Sequence, residues 1–166
     1  MKIKIVDGSS LAAATVLNKI PKGTIQVLLR GKFNKVAFLI ANALCKKNVQ
    51  IWLVGDEWDD GEQMEATEGS LFIPFSHFPP KQMREDCFYH YTPAMITPTT
   101  FKNSHSCENW LPRRVMSAWR IAGIIHALEG WNLHECGDTI ISTDKVWEAS
   151  IIHGFQPLKI LTIKHD

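Results

Sequence analysis

The residues best suited to bind a phosphate group lie between the predicted strand 24–29 and the helix that follows it. Gly31 follows the strand closely, and Lys32, Asn34 and Lys35 lie around the predicted start of the helix. A glycine lets the backbone approach a phosphate, and a helix start offers free N–H groups and the positive end of the dipole. These four residues are the candidate cofactor-binding site, with NAD(P)H as the candidate ligand.

The alternative is an ordinary turn between a strand and a helix of a Rossmann-like sheet. The dinucleotide fingerprint requires three glycines, and only Gly31 is present. Lys35 and Val36 occupy the region where later glycines would allow close approach of a cofactor. A Rossmann-like fold does not by itself imply nucleotide binding, so the single glycine favours the ordinary turn.

Three close pairs of cysteine and histidine contain side chains that bind zinc. They are Cys87 and His90, His105 and Cys107, and His134 and Cys136. Their separations match no zinc finger or zinc ribbon. The nearest two histidines, His126 and His134, are eight positions apart, whereas helical di-metal motifs place ligands about three or four apart. The sequence therefore predicts no metal site, and it assigns no catalytic residue.

Nucleophilic catalysis by a Cys–His pair is a further alternative. Cys87 or Cys107 could act with His126, although sequence separation says nothing of their distance in space. His126 follows Ile125 on a largely apolar predicted helix. Moderately polar residues in such positions are commonly buried with a partner, so a packing role is favoured for this histidine.

The hydrophobic pattern places these residues on alternating strands and helices in the first half of the chain. Strands are predicted at 2–6, 24–29, 49–54 and 70–75, and helices at 11–18, after Asn34, and at 62–68. This alternation is typical of a parallel sheet with helices on its faces. We therefore predict an α/β fold with a Rossmann-like parallel sheet, flanking helices and an elaborated C-terminal half.

The second half begins with about thirty irregular residues, 77–109, which are rich in Pro, Thr, Ser and aromatics. Such stretches usually wrap a surface or cover a site. A long helix is predicted next, with Asn109 as its cap, Pro112 in its first turn and Gly130 at its end. A helix at 144–153, with Gly154 at its C-cap, and a strand at 158–163 complete the prediction. Residues 1–166 are predicted to form a single domain.

Composition limits the classes of partner. The formal net charge of the 166 residues is +1, so no basic field favours nucleic acid or an anionic membrane surface. The longest apolar stretch, 36–45, is shorter than the roughly 20 residues that cross a bilayer. The N-terminus lacks the apolar core of a signal peptide. The four cysteines are widely separated and are expected to be free thiols in a soluble cytosolic chain.

Several long, aromatic-rich segments identify a family. They are GTIQVLLRGKFNKVAFLIANALC, LFIPFSHFPP, DCFYHYTPAM, ENWLPRRVMSAWRIAGIIHALEGW and VWEASIIHGFQPL. Over nearly the whole chain, from about residue 2 to 158, the sequence closely resembles the C-terminal domain of the plant very-long-chain aldehyde decarbonylases. This is the eceriferum/glossy family of cuticular-wax proteins.

The resemblance implies a role in forming very-long-chain alkanes from fatty aldehydes or acyl-CoA at the cytosolic face of the endoplasmic reticulum. Family members carry a di-iron centre bound by histidine clusters in an N-terminal membrane domain, and no such motif maps onto this chain. The expected role is therefore that of an accessory domain, inactive alone, which acts with other wax-synthesis subunits. The alternatives are a non-catalytic interaction module and a degenerate NAD(P)-binding reductase-type domain. The aromatic-rich stretch 72–101 is the candidate contact for substrate or partner, or else a wrap over the sheet edge.

The chain departs from the family at one point. In the family, the strand that begins at Asn48 runs on into a helical stretch before the strand IWLVGD, whereas here Gln50 joins Ile51 directly. About one strand–helix unit is therefore expected to be missing. Its loss removes the acidic residue expected about 20 positions after the glycine turn to hold a ribose, and Asp56 is a poor substitute.

Overall fold

The computed structural model describes residues 3–24, 27–44, 52–55, 60–102 and 108–158. Within these ranges the chain forms two compact units. The first unit comprises the described residues up to 15 together with 94–158, and the second comprises those from 16 to 93.

The helices and strands are short. The helices are α1 (Ser9–Lys19), α2 (Lys35–Leu44), α3 (Asp60–Gln63), α4 (Ala118–Glu129) and α5 (Thr143–Ile152). The strands are β1 (Leu28–Arg30), β2 (Trp52–Val54), β3 (Leu71–Pro74), β4 (Phe88–Tyr89), β5 (Ala94–Ile96), β6 (Val115–Ser117) and β7 (Gln156–Pro157).

The second unit is built on a parallel sheet in the order β1-β2-β3-β4. Its strand residues Leu53, Phe72 and Ile73 are fully buried, as expected where apolar runs are covered on both faces of a parallel sheet. Helix α2 connects β1 to β2 and buries Val36 and Ile40. The prediction of an α/β fold with a parallel sheet is therefore confirmed for this part of the chain.

The first unit contains a three-stranded antiparallel sheet in the order β6-β5-β7, together with α4 and α5. Helix α4 buries Ile121 and Ile125, and it ends at Gly130, whose φ of 61° is left-handed. Glycine adopts this conformation without the steric cost that a side chain would add. The predicted end of the long helix at Gly130 is therefore confirmed.

The predicted start of that helix is wrong. The sequence pattern predicts a start after Asn109 with Pro112 in the first turn, but α4 begins at Ala118. Arg114 has a φ of 65°, which breaks a helix, and Val115 pairs with β5 in an antiparallel ladder. The long-range pairing of these residues outweighs their helical pattern.

Two further predictions differ from the structure or fall outside it. The helix predicted at 62–68 is only the single turn α3, because the chain turns before Gly69, whose φ is 77°. The predicted strand at 49–54 is described only from Trp52 onward. The terminal strand predicted at 158–163 is described only at its first residue, and the junction of Gln50 with Ile51 lies outside the described residues.

Candidate functional site

The carboxyl ends of the four parallel strands lie at one edge of the sheet. The residues that follow β1, β2, β3 and β4 are Gly31, Gly55, Phe75 and His90. In open α/β sheets, ligands bind outside this edge, because the loops there are free to present functional groups. A ligand site of the second unit is therefore expected along this edge.

The predicted cofactor-binding residues share one turn at the end of β1. Gly31 has a φ of 95°, a conformation suited to glycine, and Gly31 and Lys32 are exposed. Asn34 caps α2, since its Oδ1 accepts a hydrogen bond from the backbone N–H of Ala37 at 3.0 Å. Gly31, Lys32, Asn34 and Lys35 lie within five consecutive positions at this turn, and cofactor binding by them stays a prediction. The Asn34 cap occupies one of the N–H groups that a phosphate would use.

The end of β2 is covered by an aromatic ring. A Cβ atom built on Gly55 would lie 2.4 Å from Cε2 and Cζ of Phe75, which is 1% exposed. The N–H of Gly55 donates to the carbonyl of Arg30 at 3.0 Å. The lack of a side chain at Gly55 therefore makes room for Phe75.

A cluster of polar groups lies at the end of β4. The amine of Lys19, the last residue of α1, donates to the carbonyls of Tyr91 at 2.8 Å and Thr92 at 3.3 Å. His90 and Thr92 are buried, and neither His90 Nε2 nor Thr92 Oγ1 has a hydrogen-bond partner among the described residues. We call Lys19, His90 and Thr92 the Lys19 cluster.

Burial shifts both titratable groups of the Lys19 cluster. Desolvation lowers the pKa of Lys19 from 10.5 to about 7, although part of its side chain reaches the surface. Desolvation, with a smaller contribution from the charge of Lys19, lowers the pKa of His90 to about 4. At neutral pH the imidazole is therefore neutral and about half of the amines are unprotonated.

The sequence analysis considers His90 only as a zinc ligand together with Cys87, and it gives no role to Lys19 or Thr92. Residues 19 and 90 are far apart in the sequence, so no local spacing joins them. One available signal is the position of His90 directly after an apolar strand, where ligand-binding residues of α/β sheets commonly lie.

The described Cys/His pairs do not assemble a metal site. Cys87 and Cys136 are free thiols, and Nδ1 of His134 accepts a hydrogen bond from the backbone N–H of Ile5 at 3.1 Å. Across the described ranges, no group of three or more His, Cys, Asp or Glu side chains could hold a metal ion. His105 and Cys107 lie outside the described residues.

A second polar cluster, in the first unit, surrounds His126. Its Nε2 lies 3.2 Å from Oε2 of Glu135, and Oε1 of Glu135 accepts from the N–H of Ser10 at 2.8 Å. Oγ of Ser10 accepts from the N–H of Ile141 at 3.1 Å. Ser10 and Glu135 have no exposed surface. These contacts fit the predicted packing role of His126, and the sequence pattern does not predict its partner Glu135.

No helix among the described residues is long and apolar enough to cross a membrane.

The family model and the curated relatives that match this chain belong to the same family. Residues 46–157 match the family model described as "CER1-like, C-terminal domain". The chain is 53% identical to very-long-chain aldehyde decarbonylase GL1-5 of Oryza sativa subsp. indica, over 93% of this chain and 30% of that protein. It is 48% identical to very-long-chain aldehyde decarbonylase CER1 of Arabidopsis thaliana, over 95% of this chain and 31% of that protein. No solved structure matches.

The chain thus spans about 30% of the length of these relatives. The alignment with the rice protein runs over 189 positions but includes only 93% of the 166 residues of this chain, about 154 residues, so about 35 positions of that relative have no counterpart here. One average strand and one average helix with their connections need roughly 25 residues, so the unmatched positions are enough to contain such a unit.

Proposed function

The chain belongs to the CER1-like C-terminal domain family, and we propose that it is the accessory C-terminal part of a very-long-chain aldehyde decarbonylase. The observation that carries this proposal is identity of about half of the residues across nearly the whole chain to proteins of that name. Such similarity over 93% or more of the chain covers the parallel sheet and the antiparallel unit alike. In this role the domain supports alkane formation from fatty aldehydes and is inactive alone.

The described residues do not fit a di-iron centre. Di-iron proteins need several carboxylate and histidine ligands on facing elements, and the described residues contain no group of three such side chains that could hold a metal. No step of metal chemistry is therefore assigned to the described residues of this chain. We propose that the residues of this chain instead supply surfaces and polar groups that bind and position a substrate or a partner subunit.

The aromatic-rich stretch 72–101 offers a surface for substrate or a partner subunit. Phe78, Met83 and Phe88 are 59%, 48% and 46% exposed. Large apolar side chains that remain in water favour association with an acyl chain or with another protein. We propose that this surface meets a very-long-chain aldehyde or another wax-synthesis subunit at the cytosolic face of the endoplasmic reticulum.

A domain exchange tests the accessory role. We expect a chimera of the rice relative GL1-5, with its matching segment replaced by this chain, to form alkanes in a host that supplies very-long-chain aldehydes. The same relative truncated before that segment should form far less, and this chain alone should form none. Equal alkane formation by the chimera and the truncated protein would disprove the accessory role.

Nucleotide binding at the end of β1 is a second candidate function. It is supported by the parallel unit β1–α2–β2 and by the positive φ of Gly31 at its turn. We propose that this is a Rossmann-like turn, lacking one strand–helix unit of the family, in which Gly31, Lys32, Asn34 and Lys35 hold the phosphates of NAD(P)H. The total of about 35 positions of the rice relative that have no counterpart in this chain supports the missing unit.

A thermal melt tests this site. NADPH at about 100 times its dissociation constant should stabilise the fold by about 2.7 kcal/mol and raise Tm. Gly31→Val should abolish this rise, because a side chain would block the close approach of the phosphate. Gly23→Val is the matched control, since Gly23 also has a positive φ and no atom of the described residues lies within 4 Å of a Cβ atom built on it. An unchanged Tm of the parent chain with NADPH or NADH would favour the interaction module instead.

A further inference from the structure

We propose that the Lys19 cluster is a carbonyl-binding site, where the amine of Lys19 captures an aliphatic aldehyde as an imine. The choice of an aldehyde rests on the proposed function, whereas the site itself rests on the contacts of Lys19, His90 and Thr92. Nothing in the family resemblance assigns a role to these three residues.

The hydrogen bonds of Lys19 leave its nitrogen open to a reaction partner. A neutral amine has two N–H donors and one lone pair. The carbonyls of Tyr91 and Thr92 accept at 2.8 and 3.3 Å, which accounts for both donors. Held in this way, the amine can direct its lone pair away from the two carbonyls and towards an electrophile.

Two further polar atoms in the cluster have no hydrogen-bond partner in the ranges that the structure describes. His90 is 6% exposed and Thr92 is 1% exposed, yet His90 Nε2 and Thr92 Oγ1 make no hydrogen bond within the described part of the chain. Buried polar atoms are almost always paired, and each exception calls for an explanation such as a ligand or a catalytic role. A bound carbonyl oxygen would accept a hydrogen bond from the Thr92 hydroxyl, and from His90 when Nε2 carries the proton.

The location of the cluster also favours a ligand. His90, Tyr91 and Thr92 directly follow β4, and the N–H of His90 donates to the carbonyl of Phe72 on β3 at 2.9 Å. The three residues therefore lie at the carboxyl edge of the parallel sheet, where α/β folds bind their ligands. β4 is an edge strand of that sheet.

The charge state of Lys19 supports nucleophilic attack. Burial lowers its pKa to about 7, and His90 is the titratable neighbour whose pKa the charge of Lys19 in turn lowers. At pH 7 about half of the Lys19 amines are neutral, compared with roughly one in three thousand for a lysine of ordinary pKa. Desolvated lysines of this kind form Schiff bases with carbonyl substrates.

The reaction is balanced without a further reactant. The lone pair of the Lys19 nitrogen forms a bond to the aldehyde carbon, and the carbonyl oxygen takes a proton from that nitrogen. The carbinolamine then loses its C–O bond and a second N–H proton, which releases one water and leaves the C=N double bond. Addition of water reverses the sequence, so the aldehyde is held and released without oxidation or reduction.

Reductive trapping tests the inference on the purified chain. With octanal and cyanoborohydride at pH 7, peptide mass spectrometry should locate the octyl adduct at Lys19 at least about tenfold more than at exposed Lys22. The preference should shrink as the pH is raised towards 10, where ordinary lysines also become neutral. Lys19→Arg keeps the donors and should lose the adduct, and Thr92→Val should slow its formation severalfold.

Formaldehyde distinguishes reactivity from binding. If Lys19 is methylated selectively by formaldehyde but is not trapped by octanal, the amine is reactive and the proposed site for an aliphatic chain is wrong. Equal labelling of Lys19 and Lys22 by octanal at pH 7 overturns the proposal outright. If octanal is trapped selectively at Lys19 of the purified chain but the GL1-5 chimera forms no alkane, only the accessory function is refuted. An active chimera that shows no trapping at Lys19 would refute the carbonyl site alone.

Discussion

Glu135→Ala is expected to lower the free energy of unfolding by about 3–5 kcal/mol. Oε1 of Glu135 accepts from the N–H of Ser10, and Oε2 lies 3.2 Å from Nε2 of His126. The carboxylate has no exposed surface, so water cannot replace it. Alanine would leave both groups without a partner and would open a cavity at the start of α1. Urea denaturation followed by tryptophan fluorescence measures the loss.

Two further variants serve as controls. One removes only the charge of Glu135, and the other removes a partly exposed glutamate. Glu135→Gln keeps an acceptor for Ser10 and should cost about 1–3 kcal/mol, because it replaces a charge-assisted bond. Glu129 makes a partly exposed pair with His153 at 2.7 Å, so Glu129→Ala should cost less than about 1 kcal/mol. If Glu135→Ala and Glu129→Ala cost the same, the buried cluster does not stabilise the first unit as its contacts indicate.

Local signals in the sequence locate the helix ends well. The sequence predicts a helix that starts after Asn34, and the side chain of Asn34 caps α2 by accepting from the N–H of Ala37. It also predicts that α4 ends at Gly130, which the structure confirms. A cap or a left-handed glycine acts within a few residues, so its effect is visible in a short window of sequence. The Gly31 turn is recognisable for the same reason.

Pairing between distant segments is not predictable from such windows. The strands β5, β6 and β7 have two or three residues each, too few to show the alternation that identifies a strand. The Lys19 cluster and the Glu135 carboxylate depend on contacts between residues more than 70 positions apart. Charged residues are usually exposed, so the sequence alone predicts an exposed position for a Glu or a Lys. A buried one is recognised only when its partners are known.

Gly8→Ala is expected to destabilise the first unit by about 3 kcal/mol. Gly8 has a φ of 73°, and a Cβ built on it would lie 2.6 Å from Cα and 2.9 Å from the carbonyl oxygen of Trp119. The obstacle is backbone at the start of α4, which cannot move aside as a flexible side chain could. The close approach lets Ser9 and Ser10 begin α1 with the N–H of Ser10 on Glu135.

Gly130→Ala separates the two contributions to this cost. Gly130 has a φ of 61°, and a Cβ atom built on it would have nothing within 4 Å, so alanine there should cost only about 1 kcal/mol for the left-handed backbone. The difference between the two variants in urea denaturation measures the close approach to Trp119. Equal costs would mean that α1 can shift away from α4 without loss. A larger cost for Gly8→Ala would mean that the packing of the turn at 7–10 against the Trp119 backbone stabilises the first unit.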